Sequence, residues 1–115
     1  MASLVKPLTW ILGIVLTLVG IAGFFVSGNL LGFQVDTVHN VVHLLSGVVA
    51  LWAASTSQSY AKMYLIVFGI IYGLVTVLGY MSGGVLGLFD VNTADNYLHA
   101  AIAVVSLVVG FGGGM

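Results

Sequence analysis

Two short stretches of the sequence hold most of the side chains that could do chemistry. One reads His-Asn-x-x-His over residues 39–43, and the other reads Asp-Asn-x-x-His over residues 95–99. Residues four positions apart lie on one face of a helix, so each stretch would present two potential metal ligands together. Three imidazoles and one carboxylate are a plausible tetrahedral set for a metal ion. The candidate ligands are His39, His43, Asp95 and His99.

Two alternatives keep a chemical role for the histidines. His43 and His99 could ligate a haem from both sides, because each stands at the same place in its stretch. Imidazole also titrates near neutral pH, so the cluster could take part in proton or ion movement. The sequence has no cysteine nucleophile. It also shows no HExxH, P-loop, Rossmann or nucleophile-elbow pattern, so we do not expect an enzyme.

The same polar residues have a purely structural interpretation, which we prefer because such residues commonly join helices in membranes. Asn40 and Asn96 would bond across the bundle or orient the histidines, and His39 would pair with Asp95. Other polar residues stand just before each stretch, where they can cap the first free N–H groups of a helix. This structural polar cluster comprises Asp36, Asn40, Asn92 and Asn96, with Thr37 and Thr93 as alternative caps.

Composition and length indicate that membrane-spanning helices carry these residues. Of the 115 residues, 61% are hydrophobic and 4% are charged, which is too few charges to cover a soluble surface. The net charge of −1 argues against nucleic acid as a partner. We expect one membrane domain over residues 1–115, with the lipid bilayer around it. The four apolar stretches cover residues 8–26, 38–54, 63–81 and 94–110.

The chain contains two copies of one helical hairpin. Residues 6–54 align with residues 62–110 without a gap and share 16 identities in 49 pairs, including His43 with His99. Identities at polar positions are not explained by a shared apolar composition. Each copy has two spans, so both copies point the same way. The predicted fold is all-α, a four-transmembrane-helix bundle made of two parallel helical-hairpin repeats.

The two basic residues set the expected orientation. Lys6 and Lys62 fall on one side of the predicted bundle, and basic residues favour the cytoplasmic side. Both termini would then be cytoplasmic, and the cluster of histidine, asparagine and aspartate would face outward. Because small and polar residues mark the packed side of membrane helices, the second and fourth helices should meet through this cluster.

The two motifs resemble those of a bacterial membrane family known as domain of unknown function 4383. Members are similar to this sequence in size, in their four spans, and in a first His-Asn-x-x-His and a second Asn-x-x-Asp-Asn-x-x-His motif. The second motif is matched by Asn92, Asp95, Asn96 and His99. The likeness covers residues 8–110, and it departs at Asp36 and Thr37, where Asn-Pro or a similar pair is expected. The resemblance implies a bacterial plasma membrane and implies no activity.

These features predict a small, multi-pass membrane protein that acts as a non-catalytic structural or interaction subunit, and the resemblance implies that its membrane is the bacterial inner membrane. Its partners would be other membrane proteins or further copies in a homo-oligomer, and this role needs no cofactor. The alternatives are a metal- or haem-binding membrane protein that uses His43 and His99, and a proton- or ion-conducting protein.

Overall fold

Four long helices dominate the part of the chain that the computed structural model describes, namely residues 2–25, 28–30, 33–35, 37–82, 84–85, 89–90 and 93–112. All four are long and apolar enough to cross a membrane, because 20 helical residues extend about 30 Å. The predicted four-transmembrane-helix bundle is therefore confirmed. The helices are α1 (Ala2–Gly23), α2 (Thr37–Thr56), α3 (Gln58–Ser82) and α4 (Thr93–Gly112).

The ends of α1 differ from those that the apolar stretch indicated. The helix begins at Ala2, so Pro7 lies inside it rather than at its start. A proline lacks the N–H group and removes one backbone hydrogen bond, but the helix continues through this position. At the other end α1 stops at Gly23, and the N–H of Phe24 donates to the carbonyl of Ile21 (3.1 Å) just beyond it.

Ser57 alone joins α2 to α3, which is a tighter connection than the sequence indicated. Its Oγ accepts a hydrogen bond from the backbone N–H of Tyr60 (3.1 Å), the usual N-cap arrangement at the start of a helix. Its own N–H donates to the carbonyl of Ala53 (3.3 Å), and its carbonyl accepts from the N–H of Ala61 (3.0 Å). One capping residue therefore bonds to both helices.

Each repeat also contains a short β-hairpin that the sequence analysis did not predict. The strands β1 (Gly28–Leu30) and β2 (Phe33–Val35) pair antiparallel, as do β3 (Gly84–Val85) and β4 (Phe89–Asp90). The hairpins reach across the repeats, since β2 contacts α4 and β4 contacts α2. We call the end of the bundle where α2 and α4 begin the hairpin end, and the end that holds Ser57 the turn end.

Glycines bring the two helices of each repeat close together. Within the repeats, α1 packs mainly against α2 and α3 mainly against α4. At Gly47 of α2, an added Cβ would collide with Thr17 and with the backbone of Gly13 on α1. At Gly20 of α1, it would collide with the backbone of Leu44. Lipid gives little hydrophobic drive for helix association, so van der Waals packing at these close contacts helps to hold the two helices together.

The interior and the outer surface of the bundle follow the pattern of a protein in lipid. Large apolar side chains such as Leu18, Leu45 and Leu74 are exposed on the outside of the helices. Among the described residues, two clusters of buried apolar side chains lie in the interior. The one toward the turn end comprises Val5, Ala50, Ala53, Ala61, Tyr64, Leu65 and Val109, and the other comprises Leu16, Tyr72, Ile102 and Ala103. Toward the hairpin end, the buried side chains become polar.

Candidate metal centre

The three histidines of the chain all point into the bundle toward the hairpin end. His39 and His43 stand one turn apart on α2, and His99 stands on α4. Their exposed fractions are 1%, 2% and 1%, respectively. On α2 the buried face continues at helical spacing through Gly47 and Ala50. Polar groups buried at membrane depth are costly unless they are bonded to something, so these imidazoles need partners.

The three imidazole rings lie against one another. The ring centroids are 4.3 Å apart for His39 and His43, 5.3 Å for His39 and His99, and 5.8 Å for His43 and His99. Taking one ring nitrogen from each residue, the potential ligand atoms all lie within 4.8 Å of one another. The structure thus brings together three of the four predicted metal ligands from two different helices.

The spacing between two of these nitrogens matches a shared metal ion. The Nε2 atoms of His39 and His99 lie 3.4 Å apart. Two nitrogens that bind a tetrahedral zinc ion, each about 2.0–2.1 Å from the metal, stand about 3.3–3.4 Å from each other. A direct hydrogen bond from an N–H group normally has a shorter donor–acceptor distance, about 2.7–3.2 Å. The observed distance is that of a shared ion, and it also meets the limit for a long hydrogen bond between the two rings.

Hydrogen bonding does not account for the burial of the His43 imidazole. Within the described part of the chain, neither of its ring nitrogens has a hydrogen-bond partner, and neither does Nδ1 of His99. A neutral imidazole carries one donor and one acceptor, and a buried polar group left unpaired costs about 1–3 kcal/mol. A metal ion would use a nitrogen lone pair of His43 and so offset part of this cost.

The fourth predicted ligand, Asp95, is not part of the group of converging ligand atoms. It is fully buried one turn before His99 on α4. The group of ligand atoms within 4.8 Å, however, consists of the three histidines and does not include its carboxylate. Its pairing with His39 and its place in the metal site stay predictions.

Two of the four members of the structural polar cluster lie among the described residues. Asn40 and Asn96 are buried, and Asn40 lies so close to Gly23 of α1 that a Cβ there would collide with its amide. The side-chain oxygen of each asparagine has no hydrogen-bond partner among the described residues. The other two members, Asp36 and Asn92, lie outside the described residues.

A haem between His43 and His99 does not fit this arrangement. The ring centroid of His39 lies 4.3 Å from that of His43 and 5.3 Å from that of His99. The centroids of His43 and His99 are 5.8 Å apart. The ring of His39 therefore lies beside the middle of the line that joins them, in the space that the macrocycle of a doubly ligated haem would occupy. The geometry favours a single ion.

A network of buried hydroxyl groups, which the sequence analysis overlooked, continues from the cluster toward the turn end. The ring of Tyr72 lies 5.4 Å from that of His99, and its hydroxyl donates to Ser46 Oγ (3.0 Å). Ser46 Oγ in turn donates to the carbonyl of Val42 (2.7 Å). Tyr64 donates to the carbonyl of Ser46 (2.8 Å). A tyrosine in the middle of an apolar span needs a hydrogen-bond partner for its hydroxyl. The position of Tyr72 in the sequence could therefore have indicated a buried hydrogen bond.

Comparison with protein-family models agrees with the resemblance that the two motifs suggested. The model described as Domain of unknown function (DUF4383) matches residues 6–112, a range that holds both motifs and all three histidines. No curated protein and no solved structure matches the chain. The chain, a small four-helix membrane protein built from two repeats, belongs to the DUF4383 family.

Proposed function

We propose that this protein binds one divalent transition-metal ion inside the membrane, with His39, His43 and His99 as ligands. The observation that carries the proposal is the convergence of three buried imidazoles from two helices, with ligand atoms within 4.8 Å of one another. Imidazole nitrogen suits zinc, copper, nickel and iron, and the chain has no cysteine to supply a softer ligand. Three imidazoles leave a fourth position, for the carboxylate of Asp95 or for water.

The proposed role is to bind and hold the ion rather than to catalyse a reaction. We place the protein in the bacterial plasma membrane with both termini in the cytoplasm. This orientation is supported by Lys6 and Lys62, since α1 and α3 both begin at the turn end. The histidines would then lie nearer the outer surface of the membrane, where an ion could reach them from outside the cell.

A second candidate function is that of a structural subunit in which the polar residues only join the helices. It is favoured by the contact between His39 and His99 across the bundle and by the hydroxyl network of Tyr72, Ser46 and Tyr64. Its partners would be other membrane proteins or further copies of the chain. This function leaves the two ring nitrogens of His43 without a role, which is why we rank it second.

Metal analysis of the purified protein separates the two functions. The protein would be purified in detergent without a histidine tag, loaded in turn with zinc, cobalt, copper and nickel, and dialysed before mass-spectrometric metal counting. We expect about one ion per chain with at least one of these metals. His43→Ala should lose the ion, whereas Thr9→Ala should keep it. Thr9 is a matched control, because it is buried and polar and bonds to the carbonyl of Val5 toward the turn end.

Three results would contradict metal binding. They are a wild-type protein that retains none of the four metals, a His43→Ala variant that retains as much as the wild type, and a haem absorption band. Should His43→Ala fail to fold, His43→Gln offers a side chain of similar size without the imidazole. A folded, metal-free wild-type protein would leave the structural function as the better account.

A further inference from the structure

A separate feature lies on the outer surface of α3 at the turn end, away from the histidines. Two crevices run along this helix. One has a volume of about 140 Å³ and lies between α2 and α3, with Trp52 in its lining. The other has a volume of about 300 Å³ and is lined by residues that include Ser59 and Lys62. Met63 and Val67 line both crevices, so these two side chains form a ridge with a crevice on each side.

Lys62 gives the second crevice a positive charge, and the two helices that line the crevices carry no acidic side chain to neutralise it. Lys62 is half-buried, and its ammonium group sits on a long apolar stem that can lie along the helix surface. No acidic residue occurs between positions 37 and 89, so neither α2 nor α3 offers it a carboxylate. The acid on α4, Asp95, lies toward the hairpin end. An anionic group from outside the chain would therefore be attracted to this crevice.

A pair of aromatic side chains at the turn end indicates where the edge of the membrane should lie. The rings of Trp52 and Tyr60 lie 5.1 Å apart, and both side chains are about half exposed. Tryptophan and tyrosine collect where the lipid headgroups meet the acyl chains. Lys62 follows Tyr60 by two residues on α3, so we expect its ammonium group at headgroup depth, and the ridge of Met63 and Val67 continues along the helix away from the turn end.

We propose that this surface binds one anionic glycerophospholipid. The headgroup phosphate lies at Lys62, within reach of the Ser59 hydroxyl, and the two acyl chains run on either side of the ridge of Met63 and Val67. Two parallel apolar crevices under one cation match a lipid with two chains and one negative headgroup. The lipid site is separate from the histidine cluster, so evidence against metal binding would not count against lipid binding.

Native mass spectrometry of the detergent-solubilised protein tests the proposal with phosphatidylglycerol and phosphatidylcholine of identical acyl chains. We expect one bound phosphatidylglycerol, retained about fivefold better than phosphatidylcholine, as one lysine near a headgroup contributes on this scale. Lys62→Gln should abolish the preference. Lys6→Gln removes the other lysine of the chain, at the equivalent place in the first repeat, and should preserve the preference.

A second variant tests the crevices rather than the charge. Val67→Trp adds bulk to the ridge at an exposed position and should reduce retention of both lipids, whereas Val104→Trp, at an exposed position on α4, should not. Equal retention of the two lipids by the wild type would overturn the proposal. So would an equal loss of preference in Lys62→Gln and Lys6→Gln, or a mass of two chains without lipid, which would make a second copy the occupant of this surface.

Discussion

His39 and His99 meet across the bundle with their Nε2 atoms 3.4 Å apart, although they occupy non-equivalent positions in the two repeats. The repeat counterpart of His99 is His43, and the counterpart of His39 is Asp95. The site is therefore not symmetric about the axis that relates the repeats. One pair of equivalent positions holds two histidines, and the other holds a histidine and an aspartate, so the two repeats contribute different side chains to the cluster.

Replacement of Asp95 tests whether its carboxylate supports the metal site. Asp95→Asn should weaken zinc binding about 10–100-fold, because a carboxylate that binds the ion or orients a ligating imidazole typically contributes on that scale. The measurement is the zinc affinity in a competition titration with a chromophoric chelator. Thr9→Ala serves as the control. An unchanged affinity in Asp95→Asn would show that the carboxylate plays neither part.

Removal of the Tyr72 hydroxyl tests the buried network. Tyr72→Phe keeps the ring beside His99 but deletes the bond to Ser46 Oγ, which is 3.0 Å long. The free energy of unfolding should fall by about 1 kcal/mol, the usual contribution of such a bond. Tyr80→Phe is the matched control, because Tyr80 is exposed on the same helix. Equal effects of the two substitutions, measured by unfolding in mixed detergent, would argue against the network.

Two glycines on different helices provide a matched test of the packing. Gly47→Ala should destabilise the protein by about 1–3 kcal/mol, because its Cβ would collide with Thr17 and Gly13 on α1. Gly73→Ala should change the stability by less than about 0.5 kcal/mol. The atom nearest to its added Cβ would be the Cβ of Ala103, 3.9 Å away, which is an ordinary van der Waals contact. The same unfolding assay measures both. A Gly47→Ala protein as stable as the wild type would mean that α1 and α2 are further apart than described.

The orientation in the membrane can be tested with single cysteines, because the natural chain has none. Ser55→Cys lies on an exposed position at the turn end, and Phe25→Cys lies on an exposed position just after α1. In intact cells, a membrane-impermeant maleimide should label the cysteine at position 25 and leave the one at position 55 unlabelled until the membrane is opened. The reverse pattern would place the histidines nearer the cytoplasm.

Much of the fold could be predicted from the sequence because lipid constrains it strongly. Long apolar runs define the helices, and polar residues at helical spacing indicated that α2 and α4 meet through His43 and His99. The hairpins were missed because strands of two or three residues are too short to show an alternating pattern. The bond between Tyr72 and Ser46 was missed because their repeat counterparts are Leu16 and Ile102, so the repeat gave no signal.

Nuclear magnetic resonance of protein labelled with ¹⁵N only in histidine tests the three-histidine site most directly. The chain has three histidines, so every imidazole signal comes from the proposed site. One equivalent of zinc should shift the signals of His39, His43 and His99 together and in slow exchange, as all three become ligands. Signals that stay in place, or a shift confined to one or two of the imidazoles, would contradict a site built from all three.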